Sequence, residues 1–227
     1  MLHIHNRTHR FLILLALGFS LCGAAQNDSI TFLALGDSYT EGTSELRVNS
    51  WPFQLSSQLR KKKIPIKDPK VIALVGWTTS DLLEAVASEN PKPNYDLVSL
   101  CIGVNNQFRG QSFEKFQQEF SELLEKSIRL AKGNPKNVIV LSIPDYSVTP
   151  YARFKDTPKI VKELEAYNRY IEKEANARNT SFIEITKISR NARVNPDMLT
   201  QDSLHPSKKM YKAWVKKISK EFKFQKP

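Results

Sequence analysis

The chain has 227 residues, 41% of them hydrophobic and 25% charged, which suits one compact domain with a sizeable core. Its formal net charge is +11 at pH 7. Aromatic residues are not interleaved with the lysines as a base-stacking surface would need, so we expect no nucleic-acid partner. After residue 25 no stretch is long and apolar enough to predict a transmembrane segment.

Residues 1–25 have the three-part layout of a secretory signal peptide. A start with two arginines and no acid precedes the apolar run "FLILLALGFSL", and small residues follow. The run is too short to span a bilayer comfortably. We expect cleavage after Ala25 and export to the periplasm or the medium. Cys22 offers a lipid-anchored alternative, which the bulky Leu21 before it disfavours.

The remaining residues, 26–227, are predicted to form a single domain. Losing the signal peptide lowers the net charge by two, from +11 to +9, because that segment holds two arginines. Cys101 is then the one cysteine and His205 the one histidine. A single thiol cannot form an intramolecular disulfide, and one histidine excludes a multi-histidine metal site. We expect neither a metal nor a cofactor.

Strands and helices are predicted to alternate along the chain. Most of the apolar, β-rich runs are continuous, as in strands buried on both faces. Five such runs occur, at 29–35, 70–75, 95–102, 137–143 and 181–185. Amphipathic stretches with helix caps lie at 81–89, 112–133, 158–178 and 206–222. This alternation predicts an α/β fold with a doubly wound, five-stranded parallel sheet, in which loops after the strand ends build the site.

The first strand is followed by "GDSYTEG", residues 36–42. Gly36 and Gly42 permit a tight turn, which would expose the Ser38 hydroxyl and leave its N–H free. The heptapeptide alone favours a nucleophile and a helix-capping serine equally.

The second strand is followed by "GWTTSDLL", which begins at Gly76. The backbone N–H of Gly76 could face the same crevice as Ser38. Taken alone, the motif is typical of an ordinary turn between a strand and a helix.

The third strand is followed by "GVNNQFRG", residues 103–110. The side-chain amide of Asn105 or Asn106 could donate to a substrate carbonyl, because an amide stabilises an oxyanion without losing a proton. The competing interpretation is an asparagine that hydrogen-bonds within its own turn.

The motif "DSLHPS" precedes the last predicted helix and contains Asp202 and His205. Pro206 restricts His205 to extended backbone and so limits where the ring points. A carboxylate beside an imidazole orients the ring and stabilises its protonated form. The alternative is a solvated aspartate and a surface histidine. A nucleophile, a base, an orienting acid and oxyanion donors together are what acyl transfer requires.

The four motifs resemble those of the SGNH, or GDSL, hydrolase family, and the resemblance covers about residues 30–215. It implies a three-layer α/β/α sandwich of flavodoxin type and the activity of a serine esterase. By this resemblance Ser38 is the nucleophile, His205 the general base and Asp202 its partner. The oxyanion hole is implied to comprise the N–H groups of Ser38 and Gly76 and the side chain of Asn105.

The third motif departs from the family pattern, Gly-x-Asn-Asp, because Asn106 stands where a carboxylate is usual. We expect catalysis to survive this change, with an effect on local hydrogen bonding and substrate preference. Asn106 and Trp77 are therefore candidate substrate-binding residues. Further aromatic candidates near the predicted site loops are Trp51, Phe108 and Tyr146, each of which could instead pack in the core.

The sequence fits more than one class of substrate. Short-chain or carbohydrate O-acetyl esters are favoured, since no long apolar lid is evident. The alternatives are a lysophospholipase or thioesterase for longer acyl chains, and a non-catalytic binding module on the same fold. The lysines of "RKKK" (60–63) and of the last helix are expected to form solvated faces, with weak attraction to anionic surfaces as the alternative. The sequence does not indicate an oligomeric state.

Overall fold

A single five-stranded parallel sheet forms the centre of the protein. The computed structural model describes residues 29–224, so the predicted signal peptide lies outside the described residues. The strands are β1 (Phe32–Asp37), β2 (Lys70–Leu74), β3 (Leu97–Cys101), β4 (Val138–Leu141) and β5 (Ser181–Ile183). Their order in the sheet is β2-β1-β3-β4-β5, and all neighbouring pairs are parallel. The predicted fold class is confirmed.

The strands differ in burial in a way that their sequences explain. Strands β1, β3 and β4 are mostly apolar and are buried at every position, including Asp37 and Ser99, since helices cover both faces of the inner sheet. The edge strand β2 is exposed at both ends, and Leu74 is partly open to solvent. The chain runs from β1 to β2 on one side and then crosses back to β3 on the other side of β1, so the connections change direction between β1 and β3, and ligand sites of such sheets lie at this switch point.

Helices pack on the sheet in two layers. Helix α2 packs against α8, whereas α5 packs against both α3 and α6. The helices are α1 (Ser38–Glu41), α2 (Trp51–Lys61), α3 (Thr79–Glu89), α4 (Val104–Phe108), α5 (Phe113–Leu130), α6 (Thr157–Ala177), α7 (Thr186–Ser189) and α8 (Lys208–Glu221). In the part of the chain that the structure describes, no helix is long and apolar enough to cross a membrane.

The four predicted helices are confirmed within two or three residues at each end. The last begins at Lys208 rather than at 206, because Ser207 caps it through a hydrogen bond to the N–H of Lys209. Its apolar stripe, Met210, Trp214 and Ile218, is buried. Several of its lysines are exposed, as expected of a solvated face.

Helix α2 was not predicted, and Trp51 was wrongly assigned to the neighbourhood of the site loops. Trp51, Leu55 and Leu59 recur every fourth residue and are each fully buried. Pro52 lies in the first turn, where a proline is compatible with a helix. The Trp51 ring packs on Phe32 of β1 with 6.1 Å between centroids. Trp51 is therefore part of the core.

Candidate active site

The four motifs meet at one cavity of about 130 Å³ at the carboxyl ends of β1, β2 and β3. Ser38, Gly76, Asn105 and His205 all line it. The other lining residues are mostly apolar or aromatic: Tyr39, Val75, Val104, Phe108, Tyr146, Tyr151 and Leu204. The structure thus brings together groups from both ends of the chain.

Ser38 begins α1 directly after the last residue of β1. Asp37 caps this short helix, because its Oδ1 accepts the N–H of Tyr39 at 3.0 Å. Burial raises the pKa of Asp37 to about 7. No side chain fits at Gly36, where a Cβ would lie 2.6 Å from the carbonyl oxygen of Cys101. The close approach of β1 and β3 therefore requires a glycine two residues before the serine.

Asp202 holds the ring of His205 at short range. The distance from His205 Nδ1 to Asp202 Oδ2 is 2.6 Å. A carboxylate oxygen can only accept, so Nδ1 carries the hydrogen and the neutral ring has its lone pair on Nε2. Tyr39 packs edge-on against the ring, with 5.8 Å between centroids. The imidazole is thereby held in the tautomer that a general base needs.

Hydrogen bonds stabilise the negative charge on Asp202. Partial burial raises the pKa of this carboxyl, but hydrogen bonds from Ser44, His205 and Thr200 outweigh burial and hold the pKa well below its usual range. Oδ1 accepts the N–H groups of Leu204 and His205, each at 2.9 Å, and the Thr200 hydroxyl at 2.7 Å. Asp202 is therefore ionised at neutral pH.

Gly76 and Asn105 are fixed by neighbouring groups. Gly76 has φ of +81°, a conformation that favours glycine, and its carbonyl accepts a hydrogen bond from Arg109 Nη2 at 2.6 Å. The side-chain amide of Asn105 donates to the carbonyl of Trp77 at 2.9 Å. An amide nitrogen carries two hydrogens, so the second one on Asn105 is available to a ligand.

The predicted substrate-binding roles of Asn106 and Trp77 do not agree with their positions. Asn106 is 0% exposed, and its amide nitrogen donates to Thr79 Oγ1 at 2.7 Å and to Gln111 Oε1 at 3.0 Å. Its Oδ1 accepts the N–H of Thr79 at 3.1 Å. A carboxylate could not make the two donations. Asn106 therefore joins α4 to the start of α3, and Trp77 lies outside the set of residues that line the cavity.

Sequence reasoning missed several wall residues. Val75, Val104 and Leu204 each lie next to a motif residue, and their apolar character was the available signal. Tyr151 comes from the long loop after β4, where nothing in the sequence distinguishes it from other aromatic residues. Phe108 and Tyr146, by contrast, were candidates and do line the cavity. Within residues 29–224, no group of histidine, cysteine and acidic side chains could hold a metal ion.

Comparison with known families gives a match over most of the chain. The model of the GDSL-like Lipase/Acylhydrolase family matches residues 34–213, a range that includes all four motifs. No curated protein matches the chain in sequence.

Many solved structures share the fold at low sequence identity. The crystal structure of TesA has a TM-score of 0.67 and 18% identity, and the match covers 85% of this chain and 98% of that one. Axe2, an acetylxylan esterase from Geobacillus stearothermophilus, has a TM-score of 0.66 and 18% identity, with 86% and 95% covered. The psychrotrophic esterase EstA from Pseudoalteromonas sp. has a TM-score of 0.64 and 17% identity, with 84% and 95% covered.

Proposed function

The chain belongs to the GDSL-like lipase/acylhydrolase family and is a carboxylic ester hydrolase, and we propose that it is a serine esterase for short acyl groups that works through a covalent acyl-enzyme. The observation that carries this proposal is the cavity that Ser38 and His205 both line, with the His205 ring hydrogen-bonded to Asp202. Ser38 acts as the nucleophile, His205 as the general base and Asp202 as its orienting partner.

Acylation begins with proton transfer from Ser38 to His205. Nε2 of His205 accepts the proton of the Ser38 hydroxyl while the oxygen attacks the ester carbonyl carbon. The imidazolium that forms is stabilised by the carboxylate of Asp202, 2.6 Å from Nδ1. The ionised state of Asp202 at neutral pH is therefore important for this step.

The negative charge that develops on the carbonyl oxygen needs fixed donors. The N–H groups of Ser38 and Gly76 and the free hydrogen of the Asn105 amide supply three. Asn105 is held by the Trp77 carbonyl at 2.9 Å, so little reorganisation is needed when the charge appears. Loss of one such donor typically lowers kcat by about 10²–10³-fold.

The second half of the reaction uses the same residues in reverse. The imidazolium of His205 gives its proton to the leaving alcohol oxygen, which departs and leaves the acyl group on Ser38. His205 then takes a proton from water, and the resulting attack releases the carboxylic acid and restores the serine. No cofactor is required for any of these steps.

The size of the cavity favours short acyl chains. An engineered apolar cavity of about 150 Å³ in another protein holds one benzene molecule. The cavity at Ser38 measures about 130 Å³ and therefore has room for an acyl chain of a few carbons. A longer chain would have to extend over the surface.

Two aromatic rings at the cavity favour an O-acetylated carbohydrate as substrate. Phe108 is 42% exposed, Tyr151 is 44% exposed, and their ring centroids lie 6.1 Å apart. Exposed rings of this kind can stack on a sugar face. Axe2, whose fold is similar, is an acetylxylan esterase. The second candidate is a lysophospholipase or thioesterase, for which Phe108 and Tyr151 would instead support a longer chain.

A panel of p-nitrophenyl esters tests the acyl preference. We expect kcat/KM to be highest for acetyl or butanoyl and to fall sharply for octanoyl and longer esters. The Ser38→Ala variant should show no turnover and no labelling by a fluorophosphonate probe, which requires an activated serine. Full activity of this variant would contradict the mechanism, and a preference for octanoyl esters or lysophospholipids would favour the second candidate.

The carbohydrate proposal has its own test. Tyr151→Ala should raise KM for an acetylated oligosaccharide while leaving kinetics with p-nitrophenyl acetate nearly unchanged. Phe154→Ala is the matched control, because Phe154 lies in the same loop, is 88% exposed and does not line the cavity. Equal effects of both substitutions would reject the stacking role of Tyr151.

Export is proposed from the sequence of residues 1–25 and is tested separately. Expression of the full chain in a bacterial host should yield a mature form that begins at Gln26, measured by mass spectrometry. Lipid attached at Cys22 would instead establish the anchored alternative.

A further inference from the structure

Ser44 contacts the proposed catalytic aspartate from a distant part of the chain. Its hydroxyl donates to Asp202 Oδ2 at 2.5 Å, across 158 residues of sequence. This oxygen is the one that lies 2.6 Å from Nδ1 of His205. Ser44 lies in the loop between α1 and α2.

The two oxygens of Asp202 are held by different parts of the protein. Oδ1 accepts three hydrogen bonds, all from within residues 200–205. Among the described residues, the donors to Oδ2 are Ser44 and His205. Ser44 is therefore the group that fixes Oδ2 independently of the histidine it serves.

The backbone at Ser44 is held in an uncommon conformation. Its φ is +65°, in the left-handed region that non-glycine residues seldom occupy. The next residue anchors the loop, because Glu45 Oε1 accepts the N–H of Lys208 at the start of α8 at 2.6 Å. An uncommon backbone conformation persists only where the surroundings hold it, and such residues concentrate at functional sites.

We propose that Ser44 is a positioning residue, which fixes Oδ2 of Asp202 so that His205 presents Nε2 to Ser38. This inference rests on the proposed function. The Ser44 hydroxyl takes up the lone pair of Oδ2 that the imidazole does not use, so the carboxylate cannot rotate away from the ring. Ser44 itself touches neither the substrate nor the reacting atoms.

Two variants separate the hydroxyl from the backbone. Ser44→Ala and Ser44→Gly both lack the hydroxyl, but glycine adopts a positive φ freely whereas alanine does not. We expect kcat for p-nitrophenyl acetate to fall about ten-fold in both, the effect of losing one hydrogen bond to a charged group, with KM unchanged. Thr43→Ala is the matched control, since the Thr43 hydroxyl bonds Glu41 at 2.8 Å, and it should behave as the wild type.

A double-mutant cycle identifies the route of the effect. If Ser44 acts through Asp202, Ser44→Ala should lower kcat in the wild-type background and have no further effect in the Asp202→Ala background. An equal loss in both backgrounds would show a merely structural role and overturn the inference. The inference would also be overturned if the wild type is active and kcat is unchanged in both Ser44→Ala and Ser44→Gly. An inactive wild type, or an active Ser38→Ala variant, would instead refute the proposed function on which the inference rests.

Discussion

Asp202→Asn should abolish most of the activity, because local hydrogen bonds would hold the new amide in the wrong orientation. Three donors converge on Oδ1, the N–H groups of Leu204 and His205 and the hydroxyl of Thr200. In the variant they keep the amide oxygen at this position. The NH₂ group then takes the place of Oδ2 and points a hydrogen at Nδ1 of His205. The ring must respond by moving its own hydrogen to Nε2, where it can no longer accept a proton from Ser38.

The size of the effect follows from the two bonds donated by backbone N–H groups, because the Thr200 hydroxyl can also accept a hydrogen. Turning the amide round would give up both, at about 1 kcal/mol each, so the wrong orientation is favoured by about 2 kcal/mol. This corresponds to an excess of about 30-fold, since about 1.4 kcal/mol is a factor of ten. Loss of the carboxylate charge that stabilises the imidazolium lowers kcat further. A total loss of about 10⁴-fold in kcat is expected, the size measured for the equivalent change in a serine protease triad.

The assay compares two substitutions at the same position. Asp202→Ala removes the side chain and leaves the imidazole free to adopt either tautomer, with water able to reach Nδ1 because the Asp202 side chain is 31% exposed. We expect Asp202→Ala to be about ten-fold more active than Asp202→Asn with p-nitrophenyl acetate. Thermal unfolding should show that both variants fold. An Asp202→Asn variant more active than Asp202→Ala, or within ten-fold of the wild type, would refute the reasoning.

Three further outcomes are expected. Burial raises the pKa of Asp37 to about 7, so folded protein binds more protons than unfolded protein between about pH 4 and 7, and stability falls as the pH rises through that window. Asp37→Asn, which keeps the cap on Tyr39, should flatten this dependence in urea unfolding, and a profile parallel to the wild type would contradict it. Asn105→Ala should lower kcat by about 10²–10³-fold with a smaller change in KM, and an unchanged kcat would exclude its donor role. Trp51→Ala should cost about 3–5 kcal/mol of unfolding free energy, and a loss below about 1 kcal/mol would show that its burial is not as described.

The sheet could be predicted from the sequence because strands that are buried on both faces consist mainly of apolar residues. The first four residues of β1 and all of β4 are apolar, as expected of strands covered on both faces. The four longer predicted helices carried apolar stripes and caps of the expected kind. Helix α2 has a similar stripe, but its first residue, Trp51, is an aromatic residue close in sequence to the first motif, which favours a place near the site as much as one in the core.

The site was less predictable where a role depends on distant partners. The position of Ser38 after β1 follows from the local sequence, since Gly36 and Asp37 shape the turn. The burial of Asn106 depends on Thr79, 27 residues away, and no local pattern encodes that contact. The contact of Ser44 with Asp202 is still more remote in sequence. The local sequence therefore identified candidate site residues, whereas the distant contacts that hold them in place could be identified only from the folded structure.

The contact between Ser44 and Asp202 has a consequence for when the enzyme becomes active. Ser38 and Ser44 are synthesised early, whereas Asp202 and His205 lie shortly before the last helix. In the proposed mechanism, a chain synthesised only as far as residue 200 carries the nucleophile without its base. The proposed chemistry therefore begins only once both ends of the chain have come together, so ester hydrolysis would report on the integrity of the whole domain.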